Sequence, residues 1–454
     1  MSSRKLFGTD GLRGRANVYP MTGEVAFSLG RAVTAHFQKF SRNKKPIIII
    51  GKDTRLSCYM LEQAFSAGVC SQGGQAILTG PLPTPGVAFV TQSMRADAGI
   101  MISASHNAYY DNGIKIFDRT GHKLPDDVEL ELESMVLNNN LIPKKLDNEL
   151  GNAKRLDEVV GRYIVKVKQA LSEEYTLEGM RLVIDGANGA GYKVAPMAFR
   201  ELGAEVISIG NEPNGQNINL NVGALYPQTC AEMVVKFRAD MGICLDGDGD
   251  RIAIVDHTGH IVDGDQLLGV LARFMLETNQ LGPNKEVVGT VMSNFGLEKY
   301  VRSIGGHFSR TQVGDRYIVE KMLQSGAVFG GEPSGHIIFK QFSTTGDGIL
   351  AALKVIECLK YFGKDLKTLI DEVKLVPQVL KNVHVKNKKD FNDLVDVQKT
   401  LKHVESKLKD TGRVLLRYSG TENLARVMVE GENDQLVHAC CDELVDSVKA
   451  EIGS

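Results

Sequence analysis

Three times along this chain an apolar strand runs into a polar or glycine-rich loop, then a helix, a glycine and a second strand. The first copy leads from a strand at 47–50 through Gly51-Lys-Asp-Thr-Arg55 and an apolar-periodic helix to a strand at 76–80. The second leads from 182–185 through Gly186-Ala-Asn-Gly-Ala-Gly191 and a helix at 195–202 to 206–209. The third leads from 286–290 through Ser293-Asn-Phe-Gly296 into a helix ending near Gly305. Strands that alternate with helices argue for parallel sheets covered by helices, so three α/β units of related build are expected. The helical spacing of apolar residues over 156–171 marks the join between the first two. Beyond about Leu375 the order becomes a strand around 383–385, a charged helix at 390–408, strands at 413–416 and 425–430, and a helix at 434–451. That order is α+β and predicts a smaller fourth domain.

Length agrees, since 454 residues exceed what one ordinary core accommodates. A formal net charge of −2 argues against broad nucleic-acid binding. No apolar run reaches membrane-spanning length, and the amino-terminal stretch lacks the apolar centre of a signal peptide. The seven cysteines are odd in number and carry no Cys-x-x-Cys spacing. They read as reduced thiols of a cytoplasmic protein.

The chemistry concentrates at Asp246-Gly247-Asp248-Gly249-Asp250-Arg251. Glycine lets the chain turn where a side chain would clash, so three alternate carboxylates can converge. Converging carboxylates repel unless a cation lies between them, and oxygen ligands favour Mg²⁺ or Ca²⁺. Apolar runs at 241–245 and 252–255 flank the acids, which puts the loop between two strands. An EF-hand needs glycine and glutamate where Arg251 and His257 stand, and it needs helical flanks. A solvated Asp-Gly turn would need one acid and not three in register.

Other stretches are less specific alone. An apolar strand at 99–103 runs into Ala104-Ser105-His106-Asn107, placing a hydroxyl at a strand's carboxyl end, where α/β proteins put their sites. No nucleophile elbow supports a hydrolase, and a capping role for Ser and Asn is equally open. Lys115, between Ile114 and Ile116, is either a strand residue facing water or a lysine whose pKa an apolar setting lowers. Lys5-Leu-Phe-Gly-Thr-Asp-Gly-Leu-Arg-Gly14 crowds glycines around Arg13, a candidate phosphate ligand. Arg417-Tyr-Ser-Gly-Thr-Glu-Asn-Leu-Ala-Arg426 brackets Ser419, Gly420 and Thr421 with two arginines; it suits a phosphate dianion or a hairpin with surface arginines. Gly330-Gly-Glu-Pro-Ser-Gly-His336 offers Glu332 and Ser334 to a polyol and His336 to a proton. The glycine spacing at 186–191 is reversed relative to a dinucleotide loop. The cluster Lys386, Lys388, Lys389 reads as a solvated loop.

In this order along the chain, Phe7-Gly-Thr-Asp-Gly-Leu-Arg-Gly14, Ile102-Ser-Ala-Ser-His-Asn107, the 246–251 acids, Val313-Gly-Asp-Arg-Tyr317 and the 417–426 loop resemble the α-D-phosphohexomutase superfamily, most closely its amino-sugar branch. The resemblance implies three related α/β domains with mixed sheets plus a smaller C-terminal α+β domain around a central cleft. Residues 1–155 would carry a phosphoserine loop, 156–256 a metal loop, 257–372 a sugar-binding loop and 373–454 a phosphate-binding site. It implies phosphorylation of Ser105, with one Mg²⁺ held by Asp246, Asp248, Asp250 and a phosphate oxygen on Ser105. Arg13 and Arg251 would balance charge, and Lys115 and His336 would move protons. Glu332 and Ser334 would hold sugar hydroxyls; Arg417, Ser419, Gly420, Thr421 and Arg426 would grip the distal phosphate.

The implied reaction interconverts glucosamine 6-phosphate and glucosamine 1-phosphate through glucosamine 1,6-bisphosphate, supplying UDP-N-acetylglucosamine and cell-wall precursors. Its partners would be a sugar phosphate and an activating kinase or bisphosphate, with no nucleic acid or membrane, and a homodimer is compatible with it. Ala108, Pro333 and Asn423 depart from the common pattern. Pro333 lies in the specificity loop, which keeps a phosphoglucomutase/phosphomannomutase as the alternative.

Overall fold

A computed structural model describes residues 5–8, 10–41, 44–138, 142–419 and 422–454. Among these residues the strands form four sheets. The first runs in the order Phe7–Gly8, Gly11–Arg15, Asp111–Asp118, Ala98–Ile102, Ile47–Lys52, Gln75–Pro81, Asn152–Arg155. The second is Ile252–Asp256, Met241–Leu245, Arg181–Asp185, Glu205–Ile209. The third is His307–Thr311, Glu286–Thr290, Phe329–Gly331, Ile337–Phe339, and the fourth is Gln378–His384, Leu424–Gly431, Gly412–Tyr418.

The first three sheets are mixed, as the resemblance implies, and not purely parallel as the strand–helix alternation alone suggests. The strands linked by crossover helices do pair in parallel, as Ile47–Lys52 does with Gln75–Pro81. Antiparallel strands are added beside them: Asp111–Asp118 on Ala98–Ile102, Ile252–Asp256 on Met241–Leu245, and Ile337–Phe339 on Phe329–Gly331. Each of these additions follows a short loop, which permits only antiparallel return, and each of these loops carries candidate chemistry. The last sheet is wholly antiparallel, backed by helices Val395–Leu408 and Asp434–Ile452.

One apolar cluster links the first three units, from Ile49 and Leu82 through Leu182 and Phe199 to Leu268 and Phe329. The C-terminal unit has its own core around Val383, Val404, Val427 and Leu444. Burying those side chains contributes about 1.5–3 kcal/mol each, so the fourth unit holds itself together apart from the others. All seven cysteines are free. Among the described residues no helix is long and apolar enough to cross a membrane.

Candidate active site

Residues 246–251 form the hairpin loop between Met241–Leu245 and Ile252–Asp256. Gly249 has φ +70°, which a residue with a Cβ rarely adopts, and Gly247 presses its Cα face against the Ser105 carbonyl and the Asn219 amide. These two glycines fold the loop so that one carboxylate oxygen each of Asp246, Asp248 and Asp250 lies within 4.8 Å of the others, all buried. Like charge at that spacing is unfavourable. Burial raises the Asp246 pKa well above its ordinary range, and Asp248 and Asp250 push it further. Asp248 Oδ1 and Asp250 Oδ1 are buried without a hydrogen-bond partner. Convergent oxygens with unsatisfied lone pairs fit a hard divalent cation.

The hydroxyl beside these acids comes from the first unit. Ser105 sits just beyond strand Ala98–Ile102, and its Oγ donates to Asp246 Oδ2 at 2.6 Å. Its backbone is left-handed, φ +52°. His106 Nδ1 lies 3.3 Å from the same Oγ. Burial, with Arg251 and Arg13 nearby, lowers the His106 pKa to about 4. Thr84, at the start of helix Thr84–Ser93, donates its backbone N to Asp248 O and its Oγ1 to Asp248 Oδ2, at 2.8 and 2.6 Å. The metal loop of the second unit is thereby seated on the first.

Lys115 corrects the sequence reading. It faces neither water nor an apolar pocket: it is 2% exposed, with Nζ 2.9 Å from Asp248 Oδ2 and 3.1 Å from Asp250 Oδ2. Burial pulls its pKa down, but Asp10, Asp248 and Asp250 outweigh it and raise the pKa well above its ordinary value. Strand alternation at 114–116 tells which face Lys115 is on. It cannot tell that the carboxylates of another unit meet that face.

A cavity of about 490 Å³ opens beside this cluster, lined among others by Arg13, Ser105, His106, Asp250, Arg251, Asp315, Glu332 and His336. The Nε atoms of Arg13 and Arg251 are buried and unpartnered, as suits cations awaiting an anion. Arg13 also pairs with Asp10. Loop 332–336 reaches the cavity because Ile252 N donates to Gly335 O at 3.0 Å. That contact sets His336 Nδ1 at 3.7 Å from Asp250 Oδ1 and Nε2 at 3.5 Å from Asp315 Oδ2. Burial lowers the His336 pKa, yet Asp250, Asp315 and Glu332 reverse the shift and raise it. Glu332 Oε1 accepts from Gly314 N at 3.0 Å. Ser334 is exposed and stands outside the cavity wall.

Arg417, Ser419 and Arg426 are also absent from this wall; they form a separate cluster on the C-terminal sheet. Arg417 and Arg426 are direct partners in the antiparallel ladder, and each has a buried Nε without a partner. Burial lowers the Arg417 pKa, and the Arg426 charge lowers it further. Two like charges opposite each other destabilise a sheet unless an anion joins them. Gly420 and Thr421 lie outside the described residues. Lys388 is not merely solvated: its Nζ donates to Ser419 O at 2.7 Å, and Phe391 stacks on Tyr418 with centroids 4.3 Å apart.

Several residues of the site escape sequence reading. Lys123 binds Asp315 at 2.9 and 2.6 Å and also contacts Asp10, linking the first unit to the third. Arg316 adds Glu129 at 3.0 Å and Leu124 O at 2.6 Å. Arg55 and Asn219 hold the Ser105 loop from behind. Arg55 ends the polar 51–55 loop and Arg316 belongs to the Val313-Gly-Asp-Arg-Tyr317 motif, but neither stretch shows what its arginine holds, and Lys123 and Asn219 lie in no motif at all. The 186–191 loop, which invited a dinucleotide, is spent on packing: Ala190 N donates to Gly247 O at 2.8 Å, and Thr54 Oγ1 donates to Asn188 O.

Comparison with known proteins fits this geometry. Four families described as phosphoglucomutase/phosphomannomutase domains match in order: domain I at 4–142, domain II at 161–259, domain III at 263–376 and the C-terminal domain at 380–447. The chain is 51% identical to the phosphoglucosamine mutase of Pelobacter propionicus over 451 residues, 99% of each protein. It is 49% identical to that of Syntrophotalea carbinolica, covering 99% of this chain and 98% of that protein. Its fold superposes on a phosphoglucomutase/phosphomannomutase family protein from Burkholderia thailandensis with a TM-score of 0.82 at 22% identity, covering 99% and 98% of the two chains. It also superposes on an N-acetylphosphoglucosamine mutase of Aspergillus fumigatus, solved with GlcNAc-6P and magnesium, with a TM-score of 0.67 at 18% identity; the match covers 100% and 96% of the chains.

Proposed function

The chain belongs to the phosphoglucosamine mutase family of phosphohexomutases, and from that premise we propose that it interconverts glucosamine 6-phosphate and glucosamine 1-phosphate through a phosphorylated Ser105. The observation that carries this reading is the 2.6 Å contact of Ser105 Oγ with Asp246, inside a buried carboxylate triad at the edge of a sugar-sized cavity. A serine so held, beside three acids that fit a divalent cation, is suited to carry a phosphoryl group whose charge that cation would offset.

Asp246, Asp248 and Asp250 would hold a Mg²⁺ ion, with the phosphate on Ser105 completing its ligands. When bound, that ion neutralises charge on the phosphoryl oxygens. The phosphoryl group passes from Ser105 to O1 of glucosamine 6-phosphate, giving glucosamine 1,6-bisphosphate and a free hydroxyl on Ser105. The bisphosphate reverses its orientation, and its 6-phosphoryl group returns to Ser105, releasing glucosamine 1-phosphate. Arg13 and Arg251 balance charge on the moving group, Lys115 and His336 carry the protons, and Glu332 holds sugar hydroxyls from the cavity wall, with Ser334 left to those that extend beyond it. Arg417, Ser419, Gly420, Thr421 and Arg426 grip whichever phosphate is distal. Because one clamp serves both orientations, phosphate recognition outweighs a tight sugar pocket. The product would enter UDP-N-acetylglucosamine and cell-wall precursor synthesis. A kinase or a sugar bisphosphate would supply the first phosphoryl group.

A coupled assay with the 6-phosphates of glucosamine, glucose and mannose tests the assignment. The expected result is a kcat/KM at least about tenfold higher for glucosamine. Equal or better turnover of the other two would move the activity to phosphoglucomutase/phosphomannomutase.

A further inference from the structure

The loop that carries Ser105 is gripped from two units at once. From the first unit Arg55, wholly buried and ion-paired to Asp53, donates Nη2 to Ser105 O at 3.1 Å and to Asn107 O at 2.5 Å. From the second unit Asn219 donates Nδ2 to the same two carbonyls, at 2.9 and 3.1 Å. Asn219 is itself fixed. It is 6% exposed, its backbone N donates to Ala187 O at 2.9 Å, and Gly247 of the metal loop packs on its amide.

This grip has a physical reason. Ser105 holds a left-handed backbone that costs a residue with a Cβ free energy, and such a conformer persists only where the surroundings over-determine it. Arg55 alone could hold the loop within its own unit. Asn219 holds it against the hairpin whose first acid receives the Ser105 hydroxyl. The primary amide brings two N–H donors, one for each carbonyl.

Resting on the reading of Ser105 as the phosphoryl carrier, we propose that Asn219 is a positioning residue that fixes the phosphoserine loop against the metal-binding hairpin. Its removal leaves both units folded and lets the spacing between Ser105 and Asp246 wander. Misplacement of a reacting group by about an ångström can cost on the order of a hundredfold in rate.

The test compares Asn219→Ala and Asn219→Asp in the full chain, charged with glucose 1,6-bisphosphate in Mg²⁺. Aspartate fills the volume of asparagine but has no donor, and it would set a carboxylate against two carbonyl oxygens. For N219A and N219D alike, kcat with glucosamine 6-phosphate should fall about 10–100-fold, N219D at least as far, with KM within about twofold. Amide exchange over 104–108, measured without metal, should quicken about tenfold or more in N219A, while strand Ala98–Ile102 keeps its protection. N219D with wild-type kcat would overturn the proposal, because asparagine would then only fill space. Unchanged exchange over 104–108 in N219A would overturn it as well, and N219A decides alone should N219D not fold. Wild-type enzyme that takes up no phosphoryl group on Ser105 would instead overturn the premise.

Discussion

Ser105 Oγ and Asp246 Oδ2 meet at 2.6 Å although 141 residues separate them in the chain. The contact joins the end of one α/β unit's strand to a hairpin of the next, so Ser105 meets the acidic hairpin only where both units are docked. Asp246→Asn should therefore weaken metal binding and chemistry together. It keeps the shape but removes a charge from the triad. Titration with Mg²⁺, following activity, should show a rise of at least about tenfold in the concentration needed, with kcat lower by roughly a hundredfold. Exhaustive chelation should abolish turnover, and added Mg²⁺ should restore it.

Thr84 supports Asp248 from the first unit with a 2.6 Å hydroxyl hydrogen bond. Thr84→Val keeps the volume and deletes that donor. Loss of one hydrogen bond to a buried carboxylate, about 1–2 kcal/mol, should raise the metal requirement about fivefold to thirtyfold. The same Mg²⁺ titration measures it.

Arg417 and Arg426 oppose each other on the C-terminal ladder, and burial and mutual repulsion lower the Arg417 pKa. Such a pair serves a dianion better than it serves the free fold. Arg417→Met should leave thermal stability unchanged or slightly higher, since a like-charge pair costs about 0.2–1 kcal/mol. The KM for glucosamine 6-phosphate should rise about tenfold or more with the loss of a forked donor. Calorimetry and steady-state kinetics on one preparation check both halves.

Asp265, at the start of helix Gly264–Glu277, supplies a pH prediction away from the active site. Burial raises its pKa to about 7, and Asn294 N donates to its Oδ2 at 2.7 Å. A carboxyl with a raised folded pKa stabilises fully below its unfolded value near 4 and loses that contribution as pH rises through about 7. Between those limits stability should fall by an amount on the order of 4 kcal/mol. Asp265→Asn should flatten that slope in urea unfolding followed from pH 4.5 to pH 8, conditions set at roughly the two ends of this window.

Lys123 holds Asp315 at 2.6 Å and contacts Asp10 as well, all three largely buried. Lys123→Met would remove the cation that Asp10 and Asp315 share at the seam of the first and third units, leaving Asp10 to Arg13 and Asp315 to His336. Breaking a buried pair on one side costs about 3–5 kcal/mol, so a loss near the lower figure is expected in urea unfolding.

What the chain revealed in advance follows from how local each signal is. Asp246, Asp248 and Asp250 share one hairpin loop, and Ser105 ends one strand, so glycine chemistry and apolar flanks sufficed to find them. The repeated strand–helix order likewise announced three α/β units, but the antiparallel strands beside them arise from short return loops that periodicity does not mark. Lys115 was misjudged because its environment comes from Asp248 and Asp250, more than 130 residues away. Asn219, Arg55, Thr84 and Lys123 act through contacts between distant segments, and their own neighbours in sequence say nothing of it. Lys388 looked solvated for the same reason; Ser419, 31 positions on, is what it holds.

The most direct test of the account is Ser105→Ala assayed with glucosamine 6-phosphate, Mg²⁺ and added glucosamine 1,6-bisphosphate. Alanine keeps the fold of a buried position and removes the one oxygen that can carry the phosphoryl group. If Ser105 carries the phosphoryl group, the variant shows no turnover above background even with bisphosphate present, and no phosphoryl group on the 105 peptide by mass spectrometry. Substantial turnover by the variant would contradict it, because the phosphoryl group would then travel by a route that does not pass through Ser105.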